Sequence, residues 1–134
     1  MHNTIIVCNF AFGNKKFWNM NVDNVKSQMR KGMLEYCVLL LLSKGEFYAS
    51  DIIEQLKKAN LIVVEGTLYP LLTRLKKDGM VSYRWIESTQ GPPRKYYILS
   101  EEGHGVLEEL DREWRGLAAT VCKLAEMPLM IGNN

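Results

Sequence analysis

A chain of 134 residues, 47% apolar and 24% charged, can enclose one modest core and not two. Its three cysteines (Cys8, Cys37 and Cys122) are far apart and form no C-x-x-C pair, and only two histidines are present, which argues against a disulfide framework or a zinc site and for reduced cytosolic thiols. The net charge of +2 conceals a division: residues 20–99 carry twelve Lys and Arg against eight Asp and Glu, residues 100–134 carry three against seven, and the first nineteen residues add two lysines.

Residues 1–19 hold Asn, Phe and Trp in no clear period and have no basic segment of the kind that opens a signal peptide. Met20 is expected to be the natural start, with the preceding stretch a misplaced start or an added extension; the rival is an arm that adds a strand or reaches DNA. The stretch is expected to lie outside the fold.

From about residue 25 to 43 the pattern is helical, with Met29, Met33, Tyr36, Cys37, Leu40 and Leu41 recurring at spacings of three and four and Gly45 as a stop signal. The dense apolar run of residues 36–42 is far short of the ~20 residues needed to span a bilayer, so it predicts a central core helix, and no membrane partner. A second helix is expected from a cap near Ser50 to about Asn60, with Ile52, Ile53 and Leu56 inward. Residues 61–64 are strand-like by their β-branched content.

The third helix is placed at residues 67–78, with Pro70 fixing its start in the first turn and Gly79 ending it. Leu68, Leu71, Leu72 and Leu75 face inward, leaving Thr67, Tyr69, Pro70, Thr73, Arg74 and Lys77 outside. The period then changes to two. Residues 80–87 and 94–99 read as a β-hairpin around a projecting loop of residues 88–93. A long final helix is capped at Ser100 and closed by Pro128; Leu107, Leu110, Trp114, Leu117, Val121 and Leu124 follow at alternating spacings of three and four, an a/d stripe that predicts a dimer seam.

This order predicts an α+β, mainly α fold: a winged helix-turn-helix with a long C-terminal dimerisation helix. The domains are 1–19 (extension), 20–99 (DNA-binding domain), 100–127 (dimerisation helix) and 128–134 (tail). The third helix fits a major groove and the hairpin tip the neighbouring phosphates. On the reading helix Tyr69 is not needed by the core, and its hydroxyl can donate to a phosphate while its ring meets a sugar or a thymine methyl. Arg94 and Lys95 at the hairpin base can neutralise phosphate. Trp114 either packs at the seam or, beside its mate, sandwiches a planar aromatic effector. Neither histidine has a catalytic partner at a motif spacing and there is no glycine-rich phosphate loop, so no enzyme and no cofactor is expected.

The segment Glu65-Gly66-Thr67-Leu68-Tyr69-Pro70-Leu71-Leu72-Thr73-Arg74-Leu75, followed by Gly91-Pro92-Pro93-Arg94-Lys95-Tyr96-Tyr97 and Leu99-Ser100-Glu101-Glu102-Gly103, resembles the PadR-like transcriptional regulators. The resemblance spans about residues 29–124. It implies a cytoplasmic homodimer that represses from a palindromic double-stranded DNA operator and is released by a small effector. It places Thr67 and Tyr69 at the reading helix, Arg94 and Lys95 on the wing, and Trp114 at the tryptophan that lines an aromatic-ligand pore in multidrug-sensing members. A single final helix implies the short subgroup. Two departures stand out: Val64 occupies the usual polar cap position, shifting the expected cap to Thr67, and the glycine or aromatic pair at the start of the second helix is replaced around Ala49 to Asp51. The alternative is a winged helix that binds protein and never touches DNA.

Overall fold

The computed structural model describes residues 22–130; the extension at residues 1–19 and the last residues of the tail fall outside them. The elements are α1 (Val22–Leu42), β1 (Phe47–Tyr48), α2 (Ala49–Lys58), α3 (Glu65–Lys77), β2 (Val81–Ser88), β3 (Gly91–Leu99) and α4 (Glu101–Glu126). Together they make a winged helix-turn-helix followed by one long helix. The core is a leucine-rich cluster in which Val38 and Leu39 of α1, Ile52 of α2, and Leu68, Leu72 and Leu75 of α3 are fully buried. Each helix contributes one apolar stripe, and the three stripes converge.

Both helices of the helix-turn-helix end in the same way. At the end of α2, Asn60 takes a positive φ of 67°, and the Leu61 N–H reaches back to the Leu56 carbonyl at 2.8 Å. At the end of α3, Gly79 (φ 78°) does the same and the Met80 N–H bonds the Leu75 carbonyl at 2.9 Å. These left-handed closures satisfy carbonyls that the helix leaves free and turn the chain sharply. The sequence reading of Gly79 agrees with this geometry.

Four local expectations are corrected. Residues 61–64 form no strand: Leu61 and Val63 pack on the core while Ile62 and Val64 are exposed, so the alternation is real but no neighbouring strand is there to pair with it. The third strand of the sheet is instead β1, before α2, and the order is β1-β3-β2 with both pairings antiparallel. Helix α2 starts at Ala49, and Asp51, not Ser50, tends its end by accepting the Tyr48 N–H at 3.3 Å.

Helix α3 starts at Glu65, so Pro70 lies in its second turn and Thr67 is inside the helix and not its cap. A proline there deprives the Gly66 carbonyl of its usual partner. Gly66 is exposed, so water can take that place, which is why the helix tolerates the ring. Finally, the hairpin closes over Thr89 and Gln90 alone, and Pro92 and Pro93 belong to β3. β1 pairs only with Tyr96 and Tyr97, so no partner on that side asks the prolines for an N–H, and a bulge near Ile86 and Ser88 absorbs the misfit.

Helix α4 is tied to the wing base. The Ser100 hydroxyl accepts the Gly103 N–H at 3.0 Å and donates to the Gly79 carbonyl at 2.6 Å, which joins the start of α4 to the end of α3. Gly103 is buried, and a Cβ there would collide with the Met80 carbonyl oxygen and with Leu99. Alongside α1, the Tyr36 hydroxyl donates to Asp111 Oδ1 at 2.7 Å, and Arg115 pairs with the same carboxylate at 3.1 Å. Burial, then the bond to Asp111, pushes the Tyr36 hydroxyl up to about 12, while the bond from Tyr36 and the nearby Arg115 hold the Asp111 carboxyl low.

Candidate nucleic-acid interface

The inward leucines of α3 leave Thr67, Tyr69, Thr73, Arg74 and Lys77 on its exposed side. On the 3.6-residue period these span one broad face, with Tyr69 at one margin and Thr67 and Arg74 at the other. Tyr69 is 47% exposed. The Thr73 hydroxyl donates to the Tyr69 carbonyl at 2.9 Å, so Thr73 shows its methyl outward.

The wing brings its cations to the Tyr69 margin. Tyr69, Thr73, Arg94 and Lys95 line one cleft of about 320 Å³, together with Tyr48 of β1, Ser50 from the first turn of α2 and Trp85 of β2. Tyr97 also lines it, and burial pushes its hydroxyl up, with Tyr69 and Tyr83 adding to the effect. Thr67 and Arg74 line a separate groove of about 220 Å³ against α1, shared with Lys31 and Glu35.

The cations divide by what holds them. Arg74 is paired with Glu35 of α1 at 3.0 Å, and Arg84 with Glu46 at 2.7 Å. Arg94 and Lys95 have no carboxylate partner among the described residues. The Arg94 guanidinium lies 3.9 Å from the centre of the Tyr48 ring and donates to Ser50 Oγ at 2.6 Å. Lys95 Nζ sits 4.5 Å from the Tyr83 ring and 5.3 Å from that of Trp85. Sequence reasoning missed Tyr48, Ser50, Tyr83 and Trp85. The signal for the last two was present: Trp85 pairs with Lys95 and Tyr83 with Tyr97, so strand alternation puts all four on one face.

The heptad stripe on α4 splits in two. Leu107 is only 9% exposed and belongs to the core of its own chain, which removes it from the expected dimer seam, and Leu110 is partly buried against that core. The cause is that the first two turns of α4 lie against α1 and the wing base. Beyond them Trp114, Leu117, Val121 and Leu124 stand 44%, 51%, 61% and 64% exposed, and Val25 and Met29 of α1 are exposed as well. Among the described residues no helix is long and apolar enough to cross a membrane.

A family model described as "Transcriptional regulator PadR-like family" matches residues 38–109, from the end of α1 into α4. Among solved structures, a PadR-like transcription factor from Bacteroides fragilis is 67% identical, covering 76% of this chain and 99% of its own, with a TM-score of 0.66. A PadR family regulator from Eggerthella lenta is 31% identical over 84% of this chain and 98% of its own, with a TM-score of 0.71. One from Bacillus cereus is 35% identical, covering 75% and 99%, with a TM-score of 0.67. An uncharacterised protein of Lysinibacillus sphaericus is 28% identical over 93 residues, 67% of this chain and 85% of the relative.

Proposed function

The chain belongs to the PadR-like family of transcriptional regulators, and from that premise we propose that it is a repressor: a cytoplasmic homodimer that binds a palindromic operator and is released by a small planar aromatic effector. The observation that carries DNA binding is the cleft in which Tyr69 and Thr73 of the reading helix meet Arg94 and Lys95 of the wing. Tyr69, the Thr73 methyl and Thr67 face the groove edges. Arg94, Lys95 and Lys77 meet phosphates, and Arg74 joins them once it leaves Glu35.

A two-fold pairing through Trp114, Leu117, Val121 and Leu124 covers apolar surface that a lone subunit leaves wet. It also sets two copies of α3 against successive major grooves, roughly 34 Å apart, which is what a palindrome requires. Near the axis the exposed Trp114 rings of two subunits flank a space suited to a flat aromatic molecule.

Selection of duplexes from random sequence by the purified protein, followed by sequencing, tests the DNA reading. Inverted half-sites support it, and a pool with no enrichment at low salt refutes it. Fluorescence titration with planar dyes, compared between the native chain and Trp114→Ala, tests the effector site; identical titrations would remove it.

A further inference from the structure

Arg94 stands apart from the other arginines around the reading face. Arg74 and Arg84 spend their charge on carboxylates. Arg94 is instead held by a neutral hydroxyl and a ring, so its full charge remains for an outside anion. Tyr48 is fixed in turn: it is half-buried, its ring meets that of Tyr96 edge-on at 4.6 Å, and its backbone pairs with Tyr96 in the sheet. Ser50 is exposed at the start of α2. A wing residue is thus clasped by the first turn of the helix-turn-helix, across 44 residues of sequence.

We propose that Tyr48 and Ser50 are positioning residues for Arg94: ring and hydroxyl fix its guanidinium on the rim of the cleft in the attitude that receives a backbone phosphate of duplex DNA. The inference rests on the DNA-binding reading above and adds to it the residues that make the wing contact rigid. A long cationic side chain freezes its rotamers when it binds, and one that is already held loses less. The Nη2 proton used on Ser50 leaves four of the five N–H donors of the guanidinium for phosphate oxygens.

The test measures affinity and salt slope on a fluorescently labelled duplex that the protein itself has selected from random sequence. Arg94→Ala should lower the salt slope by about one unit. Tyr48→Leu should weaken binding about two- to fivefold, Tyr48→Phe should bind like the native protein, and neither Tyr48→Leu nor Ser50→Ala should weaken binding further once Arg94→Ala is present. Non-additivity is the signature, because a merely structural role for Tyr48 persists without Arg94. Native affinity in both Tyr48→Leu and Ser50→Ala, losses that simply add to that of Arg94→Ala, or a Tyr48→Phe as impaired as Tyr48→Leu would each overturn the proposal. If Tyr48→Leu does not fold, the exposed Ser50→Ala carries the test alone. Failure to select any duplex refutes the DNA reading itself, and separates that outcome from failure of the clasp.

Discussion

One leucine-to-alanine change should have opposite consequences at two places on the α4 stripe, Leu107 and Leu117. Leu107 is 9% exposed inside its own subunit. Truncating it there removes buried methyls and leaves a cavity, a loss of about 2–5 kcal/mol. For a chain of this size that lowers Tm by roughly ten degrees or more. Leu117 keeps 51% of its surface in water. Full burial of a leucine is worth about 1.5–3 kcal/mol, so covering the exposed half contributes about 1 kcal/mol per copy. The proposed two-fold seam would contain two copies, and about 2 kcal/mol raises the dimer Kd roughly 30-fold. Sedimentation over a dilution series reads the second effect, and circular dichroism during heating reads the first. Leu117→Ala should yield lighter particles on dilution while its helical signal stays intact. If Leu117→Ala lowers Tm as much as Leu107→Ala at every concentration and leaves the mass unchanged, the division of the stripe into core and seam is wrong.

Further outcomes follow from other contacts. Asp111 is held below the ordinary carboxylate range, chiefly by the Tyr36 hydroxyl, so its contribution is present above the unfolded value and is lost as pH falls through the folded one. The gap in Tm between native protein and Tyr36→Phe should therefore be constant near neutrality and close on acidification below about pH 4; a gap that widens in acid would reverse the assignment. Gly103→Ala must push its Cβ against the Met80 carbonyl and Leu99, and should cost about 1–3 kcal/mol by urea unfolding. Native stability in the Gly103→Ala protein would mean that the start of α4 can move away freely. Lys95→Ala should reduce the salt slope of DNA binding by about one unit, whereas Arg84→Ala, which releases Glu46, should leave the slope unchanged; equal slopes for the two variants would show that the pair with Glu46 does not keep Arg84 off phosphate.

Much of the architecture was legible because periodicity and punctuation act locally. The four leucines of α3, the Gly79 closure and the Ser100 cap are each set by residues within a few positions of one another. The misreadings share a cause in distance. Residues 61–64 and Phe47–Tyr48 both suit a strand, and only the presence of β3 beside the second decides between them. Pro70 looks like a start because nothing nearby announces that Gly66 can leave its carbonyl to water. The stripe on α4 looks uniform because burial of Leu107 depends on the core it meets.

For the interface, the outward residues of α3 could be listed from the helical period, but not which cations are spoken for. Glu35 lies 39 residues from Arg74 and Glu46 lies 38 from Arg84, and no spacing rule links either pair. The rings under Lys95 follow from strand alternation once the hairpin register is known, and that register turns on the two-residue turn that the Gly/Pro-rich segment disguised.

Glu35 and Tyr36 are consecutive on α1, so their side chains leave that helix about 100° apart. One grips the reading helix through Arg74 and the other grips α4 through Asp111. Two adjacent positions of the first helix therefore tie it on different sides, one to the helix that carries Tyr69 and one to the helix that carries the exposed apolar stripe.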